Sequence, residues 1–320
     1  MQPITIGIDI GGTKTALGLF SGPGMPRLRT AAPSPQNAEP KALVHLLVRE
    51  IRGLLQRGGI REEQLSGIGV GAPAWVDYGA GRVIYAPNLA CLKDYPLRDA
   101  LAAHFSVPVY VDNDANLAAL AEYKLGAGRG FSHMVYSTAS TGIGGGLILN
   151  GALYRGAYGC AGEIGHMLAT PGKGEFCGCG KQGCFESWAG GAHIFQHVAR
   201  RLRKGETTCM TDLAGRVEDI TGNTLREAFF AGDKMAQEIL QDMANSIGIL
   251  YYNLYQALNV SCFVMGGGLL TGFGDALLGR VRECFSALHS ASPLPLPVEI
   301  RPAELTQDFG IIGANLLLYQ

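Results

Sequence analysis

Residues 5–20 read TIGIDIGGTKTALGLF. Two apolar runs, TIGID over Thr5–Asp9 and ALGLF over Ala16–Phe20, flank the turn GGTKT, Gly11 to Thr15. Apolar runs around a Gly-Gly turn predict a β-hairpin, not a strand-to-helix step. The consequence is chemical. A tip holding Gly11, Gly12, Thr13 and Lys14 presents backbone N–H groups, a hydroxyl and an ammonium to an anion, as phosphate-wrapping nests do. Asp9, just before the tip, is placed to hold a hydrated Mg²⁺. An ordinary glycine turn with a solvated lysine is the competing reading of this tip taken alone.

The same order of elements recurs. The strand VYSTAS begins at Val135, the turn TGIGGG runs from Thr141 to Gly146, and LILNGALY reads as one further strand. Two such tips, one from each half of the chain, are suited to hold a polyphosphate between them. No G-x-x-x-x-G-K-[ST] occurs, so a nucleotide would be held by paired hairpins and not by a Walker A loop. The segment Gly67-x-Gly69-x-x-Ala72 superficially fits a dinucleotide fingerprint, but Pro73 and AWVDYGAG follow it where a helix is required.

Between Glu163 and Glu186 lie three cysteines, Cys177, Cys179 and Cys184, and a histidine, His166. Three thiolates and an imidazole make a closed four-coordinate set suited to structural Zn²⁺. Gly174, Gly178, Gly180 and Gly183 stud the segment, as a chain folding back around one ion needs. Three buried thiols without a metal are the plainer alternative. A closed site performs no chemistry itself; it pins a loop, which then presents Glu163, His166 and Glu186.

Elsewhere the apolar spacing predicts helices over Lys41–Gln56, Ala192–Arg203 and Asp233–Leu258, the last with a stripe of Met235, Ile239, Met243, Ile247, Leu250 and Leu254. The strand VPVYVDND leads into the helix ANLAALAEYKLG, at whose start stand Asn113 and Asp114. Asp114 is either a plain N-cap or a general base for a substrate hydroxyl, as in phosphoryl transfer. Asn88 is a loop amide able to bind a hydroxyl-rich ligand or to brace a turn. VSCFVMGGG delivers Gly266, Gly267 and Gly268 before a helix predicted over Gly274–His289, and glycines there let a flat adenine or ribose approach the backbone. The chain closes on the strand VEIRPA and an apolar helix over Ile311–Tyr319.

Lys plus Arg number 26 and Asp plus Glu 27, so no net positive charge argues for nucleic acid. No apolar run reaches the ~20 residues of a membrane helix. Five cysteines outside the cluster are scattered, which argues against a disulfide framework and for a cytoplasmic setting.

With these residues assembled, the chain resembles the ROK family of sugar kinases, in the actin-like ATPase superfamily. The likeness is carried by DIGGTKT (Asp9–Thr15), GAPAWVD (Gly71–Asp77), NDAN (Asn113–Asn116), STGIGGG (Ser140–Gly146), EIGH (Glu163–His166), CGCGKQGCFE (Cys177–Glu186) and MGGG (Met265–Gly268). The resemblance implies an α/β, two-domain actin-like (ribonuclease H-like) fold, with mixed sheets flanked by helices and a cleft between domains. Residues 1–117 with 305–320 would carry the phosphate hairpin and the base, and 118–304 the zinc loop and adenosine site. The implied activity is transfer of the ATP γ-phosphoryl group to a hexose 6-hydroxyl, glucose first, with N-acetylmannosamine, N-acetylglucosamine or fructose as alternatives. By the same resemblance Asp114 is the base, and Asn88, Asn113, Glu163, His166 and Glu186 bind sugar. Asp9, Gly11, Gly12, Thr13, Lys14, Thr141, Gly142 and Gly266 to Gly268 take ATP with Mg²⁺, and His166, Cys177, Cys179 and Cys184 ligate zinc. A homodimer with no nucleic-acid or membrane partner is implied. Family members that act as repressors carry a helix-turn-helix of ~70–80 residues before the first hairpin; a sugar sensor without useful kinase activity is the other class considered. Ala74 stands where the family pattern has glycine, which bears on the choice of sugar.

Overall fold

The computed structural model describes residues 2–35, 39–86, 89–293 and 295–320. The first hairpin forms as its sequence predicts: β1 (Ile4–Ile10) pairs antiparallel with β2 (Lys14–Ser21), Ile10 opposite Thr15. β3 (Leu28–Pro33) extends the meander. Helix α1 (Pro40–Arg57) starts on a proline whose fixed φ suits the first turn, and buries the stripe Leu43, Leu47, Ile51 and Leu54. It returns the chain to β4 (Leu65–Ala72), parallel to β1. The short hairpin β5 (Trp75–Asp77) and β6 (Arg82–Tyr85) and helix α2 (Leu97–Ala102) precede β7 (Val109–Asn113), parallel to β4, and helix α3 (Asp114–Leu125). The sheet order is β3-β2-β1-β4-β7. The dinucleotide-like glycines Gly67 and Gly69 lie inside β4, with no turn or helix at them.

The second half repeats the scheme. β8 (Met134–Ala139), β9 (Ile143–Leu149) and β10 (Ala152–Tyr154) form the meander. LILNGALY is therefore two strands and not one: Asn150 and Gly151 both adopt positive φ, the geometry of a tight hairpin turn, and break it. Helices α4 (Phe185–Ala189), α5 (Ile194–Leu202), α6 (Met210–Ala214), α7 (Gly222–Phe230) and α8 (Lys234–Leu258) follow. β11 (Cys262–Gly266) then lies parallel to β8, and β12 (Glu299–Pro302) parallel to β11. The order β10-β9-β8-β11-β12 reproduces that of the first sheet. After β11 the structure adds a short helix that the sequence reading lacks, α9 (Gly268–Phe273), before α10 (Asp275–Ser290). Helix α11 (Phe309–Leu316) closes the chain.

The chain forms two compact units, residues 1–132 with 146–162 and 304–320, and residues 133–145 with 163–303. In the first, α11 lies directly on the sheet. A Cβ on Gly7 or Gly69 would strike the backbone carbonyls of Ile311 and Ala314, so these positions admit only glycine. In the second, α8 is capped by Asp233, which accepts the Ala236 N–H at 2.8 Å, and ends on left-handed Asn259. All six residues of its predicted stripe are buried. Tyr251 from the same face stacks on Phe263 of β11 with ring centroids 4.5 Å apart, and its hydroxyl bonds to Ser137 of β8. Among the described residues no helix is long and apolar enough to cross a membrane.

Candidate functional site

In the first unit the hairpin tip is braced from β3. Gly11 N–H donates to Lys14 O at 2.9 Å, and Ser34 beyond β3 donates its hydroxyl to Gly11 O and its N–H to Thr13 O. Thr13 and Lys14 are left exposed. Asp9, at the end of β1, is largely enclosed, and burial raises its carboxyl from the usual 3.8 to about 6. Its carboxylate occupies the space a side chain would need at Gly310, at the start of α11. Gly310 has no distinctive signal in the sequence: it lies far from Asp9 along the chain, and a lone glycine before an apolar run is common.

Asn113 and Asp114 divide their labour differently from the sequence expectation. Asn113, not Asp114, caps α3: its Oδ1 accepts the N–H groups of Ala115 at 2.8 Å and Asn116 at 3.2 Å. Its Nδ2 donates to the Ala74 carbonyl at 3.0 Å. Asp114 is the first helical residue, with Oδ1 accepting the Ala115 N–H at 2.9 Å. The positive end of the helix thus favours its carboxylate without consuming it as the cap. Ala74 itself is 4% exposed and packs into the apolar core, and its carbonyl meets the NDAN segment at Asn113. Asn88 lies outside the described residues.

In the second unit, Thr141 is exposed at the second tip, and the tip is clipped by hydrogen bonds from Gly191 N to Ser140 O and Ala192 N to Thr141 O. Glu186, at the start of α4, reaches this tip. Its Oε2 accepts the Ile143 N–H at 3.0 Å, and it fills the space over Gly142. Its Oε1 lies 3.3 Å from the Cys177 sulfur.

That sulfur belongs to a compact group. One ligand atom each from His166, Cys177, Cys179 and Cys184 lies within 4.8 Å of all the others. Cys177 Sγ to His166 Nδ1 is 3.4 Å and Cys179 Sγ to Cys184 Sγ is 3.6 Å. Bonds of about 2.0 and 2.3 Å to a tetrahedral zinc need atoms separated by roughly 3.5–3.8 Å, so the donor set and its spacing fit that ion. The loop is cross-linked around the group by Cys177 N to Lys181 O and Ala169 N to Gly183 O. A single 3₁₀ turn, Ile164–His166, sets Glu163 and His166 on one side. The two imidazole nitrogens then face different partners: Nδ1 the Cys177 thiol, with the Glu186 carboxylate at 3.9 Å, and Nε2 the Glu163 carboxylate at 3.8 Å. Behind the loop, Trp188 donates to Thr170 and is flanked by His197 and Arg200.

A cavity of about 590 Å³ opens within the same unit. Thr141 and Gly268 line it, together with Phe195, Ile220, Thr221, Asn223 and Arg226. Gly266 and Gly267 do not. They lie against β8, where a side chain on Gly267 would meet Ala139 O and Thr138, and Gly267 has φ of 98°. Residues 204–232 carry no functional motif, yet α7 and the turn before it supply much of the cavity wall. Each of these residues is unremarkable alone; only the fold gathers them.

A family model described as ROK matches residues 5–320. The chain belongs to the ROK family. This ROK protein is 32% identical to a glucokinase of Streptomyces coelicolor, over 97% of this chain and 96% of that one. It is 31% identical to an N-acetylmannosamine kinase of Escherichia coli, over 98% and 97%. Among solved structures it resembles a ROK glucokinase from Streptomyces griseus in complex with glucose and AMPPNP, with TM-score 0.80, 31% identity and 98% of each chain covered. The fold is accordingly the actin-like one that the sequence motifs imply: two mixed sheets flanked by helices.

Proposed function

We propose that this ROK protein transfers the γ-phosphoryl group of ATP to the 6-hydroxyl of a hexose, with glucose the first acceptor. The observation that carries the reading is the likeness, across 98% of both chains, to a glucokinase whose structure holds glucose and an ATP analogue. The similarity to an N-acetylmannosamine kinase supports that amino sugar as the second reading; N-acetylglucosamine and fructose share the same motif set.

Asp114 is the base. Its carboxylate takes the proton of the 6-hydroxyl as that oxygen bonds to the γ-phosphorus and the bond to the β-γ bridging oxygen breaks, releasing ADP. Asn88, Asn113, Glu163, His166 and Glu186 fix the sugar hydroxyls, the carboxylates by charge-assisted hydrogen bonds. Gly11, Gly12, Thr13 and Lys14, with Thr141 and Gly142, wrap the phosphates through N–H groups, hydroxyls and one ammonium. Gly268, Asn223 and Arg226 border the cavity suited to adenosine, and Gly266 and Gly267 set the close approach of the chain to β8 just before it. Asp9 is the carboxylate placed to hold Mg²⁺, which when bound offsets phosphate charge. His166, Cys177, Cys179 and Cys184 hold a structural zinc whose service is rigidity. Phosphoryl transfer needs positioning and charge neutralisation more than covalent help, and this set of residues supplies both.

The test is ADP release from Mg-ATP with glucose, mannose, fructose, N-acetylglucosamine and N-acetylmannosamine supplied one at a time. Turnover on one sugar fixes the class and the acceptor together. Silence on all five, with sugar still bound by calorimetry, replaces the kinase with a sugar sensor.

A further inference from the structure

Asp112 precedes the NDAN segment and is 1% exposed. A carboxylate so buried must have every lone pair engaged. Its Oδ1 accepts Asn113 N–H at 2.8 Å and Asn116 Nδ2 at 2.9 Å, which fixes the first turn of α3. Its Oδ2 accepts Arg155 Nε at 2.7 Å. Arg155 follows β10 and is held on two further sides. Its guanidinium lies 3.7 Å from the centroid of the Tyr78 ring, and its NH2 group donates to Gln320 at 3.0 Å. The segment it begins closes on itself, Ala161 N–H donating to Arg155 O at 3.0 Å. The same segment sits tight on β5, since a Cβ at Gly159 would come within 2.5 Å of Val76 O.

We infer that Asp112 and Arg155 are a positioning pair for the reaction, locking the base-bearing turn at Asn113–Asp114 to the segment of residues 155–161 in the same unit. The inference rests on the kinase reading above. One guanidinium meets β7, the turn after β5 and the C-terminus at once, through its planar fork and its flat face. Lysine, a point charge on a flexible stem, cannot reproduce that set of contacts. A misplacement of about 1 Å at a phosphoryl-transfer site costs on the order of 100-fold, which is the size of effect the pair exists to prevent.

The test compares intact Asp112→Asn, Arg155→Met and the double variant. In each single variant kcat falls by about 10- to 100-fold while the KM for ATP stays within about 2-fold. Each single change also strands a buried polar or charged group and lowers Tm; the double removes both charges, so its Tm recovers while its kcat stays low. A double variant that regains wild-type kcat overturns the inference, because the pair would then be a matter of stability alone. The second readout is hydrogen exchange at the Ala161 amide, expected to accelerate in both single variants. Should wild type phosphorylate no sugar, the kinase reading fails, and wild-type exchange at Ala161 in both variants would overturn the pairing independently.

Discussion

Glu186 accepts the backbone N–H of Ile143 at 3.0 Å, and this one bond ties the cysteine loop to the second glycine tip. A residue that touched sugar alone would alter the KM for sugar alone. Glu186→Ala removes the acceptor and leaves a half-buried N–H unpaired, a loss of about 1–2 kcal/mol. The expected outcome is a KM for ATP raised about 5- to 20-fold alongside the weaker sugar binding, measured by varying each substrate at saturating levels of the other. An unchanged KM for ATP shows that the tip holds its shape without Glu186.

Because Asn113 caps α3, Asp114 can be changed without unfolding the helix start. Asp114→Asn is expected to lower kcat by about 10²- to 10⁴-fold, with far-UV circular dichroism unchanged and Tm within a few degrees. Asn113→Ala behaves in the opposite sense first: it removes the cap, for about 1 kcal/mol of stability, and frees the Ala74 carbonyl. Near wild-type turnover in Asp114→Asn would falsify the base assignment.

What was legible in the sequence was local. The apolar runs around the Gly-Gly turn of TIGIDIGGTKTALGLF predict the hairpin that forms, the stripe on α8 was written in its spacing, and the C-x-C-x4-C run with His166 gathers into one group. What escaped depends on contacts between distant segments, or on a rule applied one residue out. Asn150-Gly151 is a strong hairpin signal by itself, but the apolar residues on both sides mask it as one continuous run. Asn and Asp cap about equally well, so local propensity cannot choose between Asn113 and Asp114; the Ala74 carbonyl, from the bend between β4 and β5, selects Asn because the amide can donate to it and a carboxylate cannot. The cavity wall from α7 and the seat of Asp9 against Gly310 have no local signature at all.

The cysteine cluster predicts a metal-dependent stability. Burial pushes the Cys177 and Cys184 thiols up, whereas at Cys179 burial is outweighed by hydrogen bonds from Lys181 N–H and the neighbouring thiols, which bring it down. A zinc ion needs all three as thiolates, so its affinity should fall steadily as pH drops from 8 to 6. Elemental analysis is expected to find one zinc per chain. Chelation, or Cys184→Ser, should lower Tm by roughly 5–15 °C, as loss of a few kcal/mol does in a protein of this size, and release the loop from Glu163 to Glu186 to rapid hydrogen exchange. Full activity in protein shown to hold no zinc would refute the structural role.

Asp9 gives a prediction whose sign is unusual for an acidic residue. Its carboxyl is raised from 3.8 to about 6 by burial, so between pH 4 and 6 the folded chain binds a proton that the unfolded chain has released. Stability attributable to Asp9 is therefore greatest below about pH 4, declines as pH rises to about 6, and is flat above. At pH 7 the buried charge costs on the order of 3 kcal/mol. Asp9→Asn, which keeps the shape and removes the charge, should accordingly raise Tm at pH 7, converge with wild type near pH 4, and lose most activity, a trade of stability for function. Magnesium with nucleotide should narrow the pH 7 gap in the wild type, because a bound cation favours the carboxylate that burial opposes. Thermal melts of both proteins from pH 4 to 7.5, with and without Mg-AMPPNP, measure all of this. Parallel profiles for the two proteins would mean that the carboxyl is already hydrated and carries no stored cost for a cation to offset.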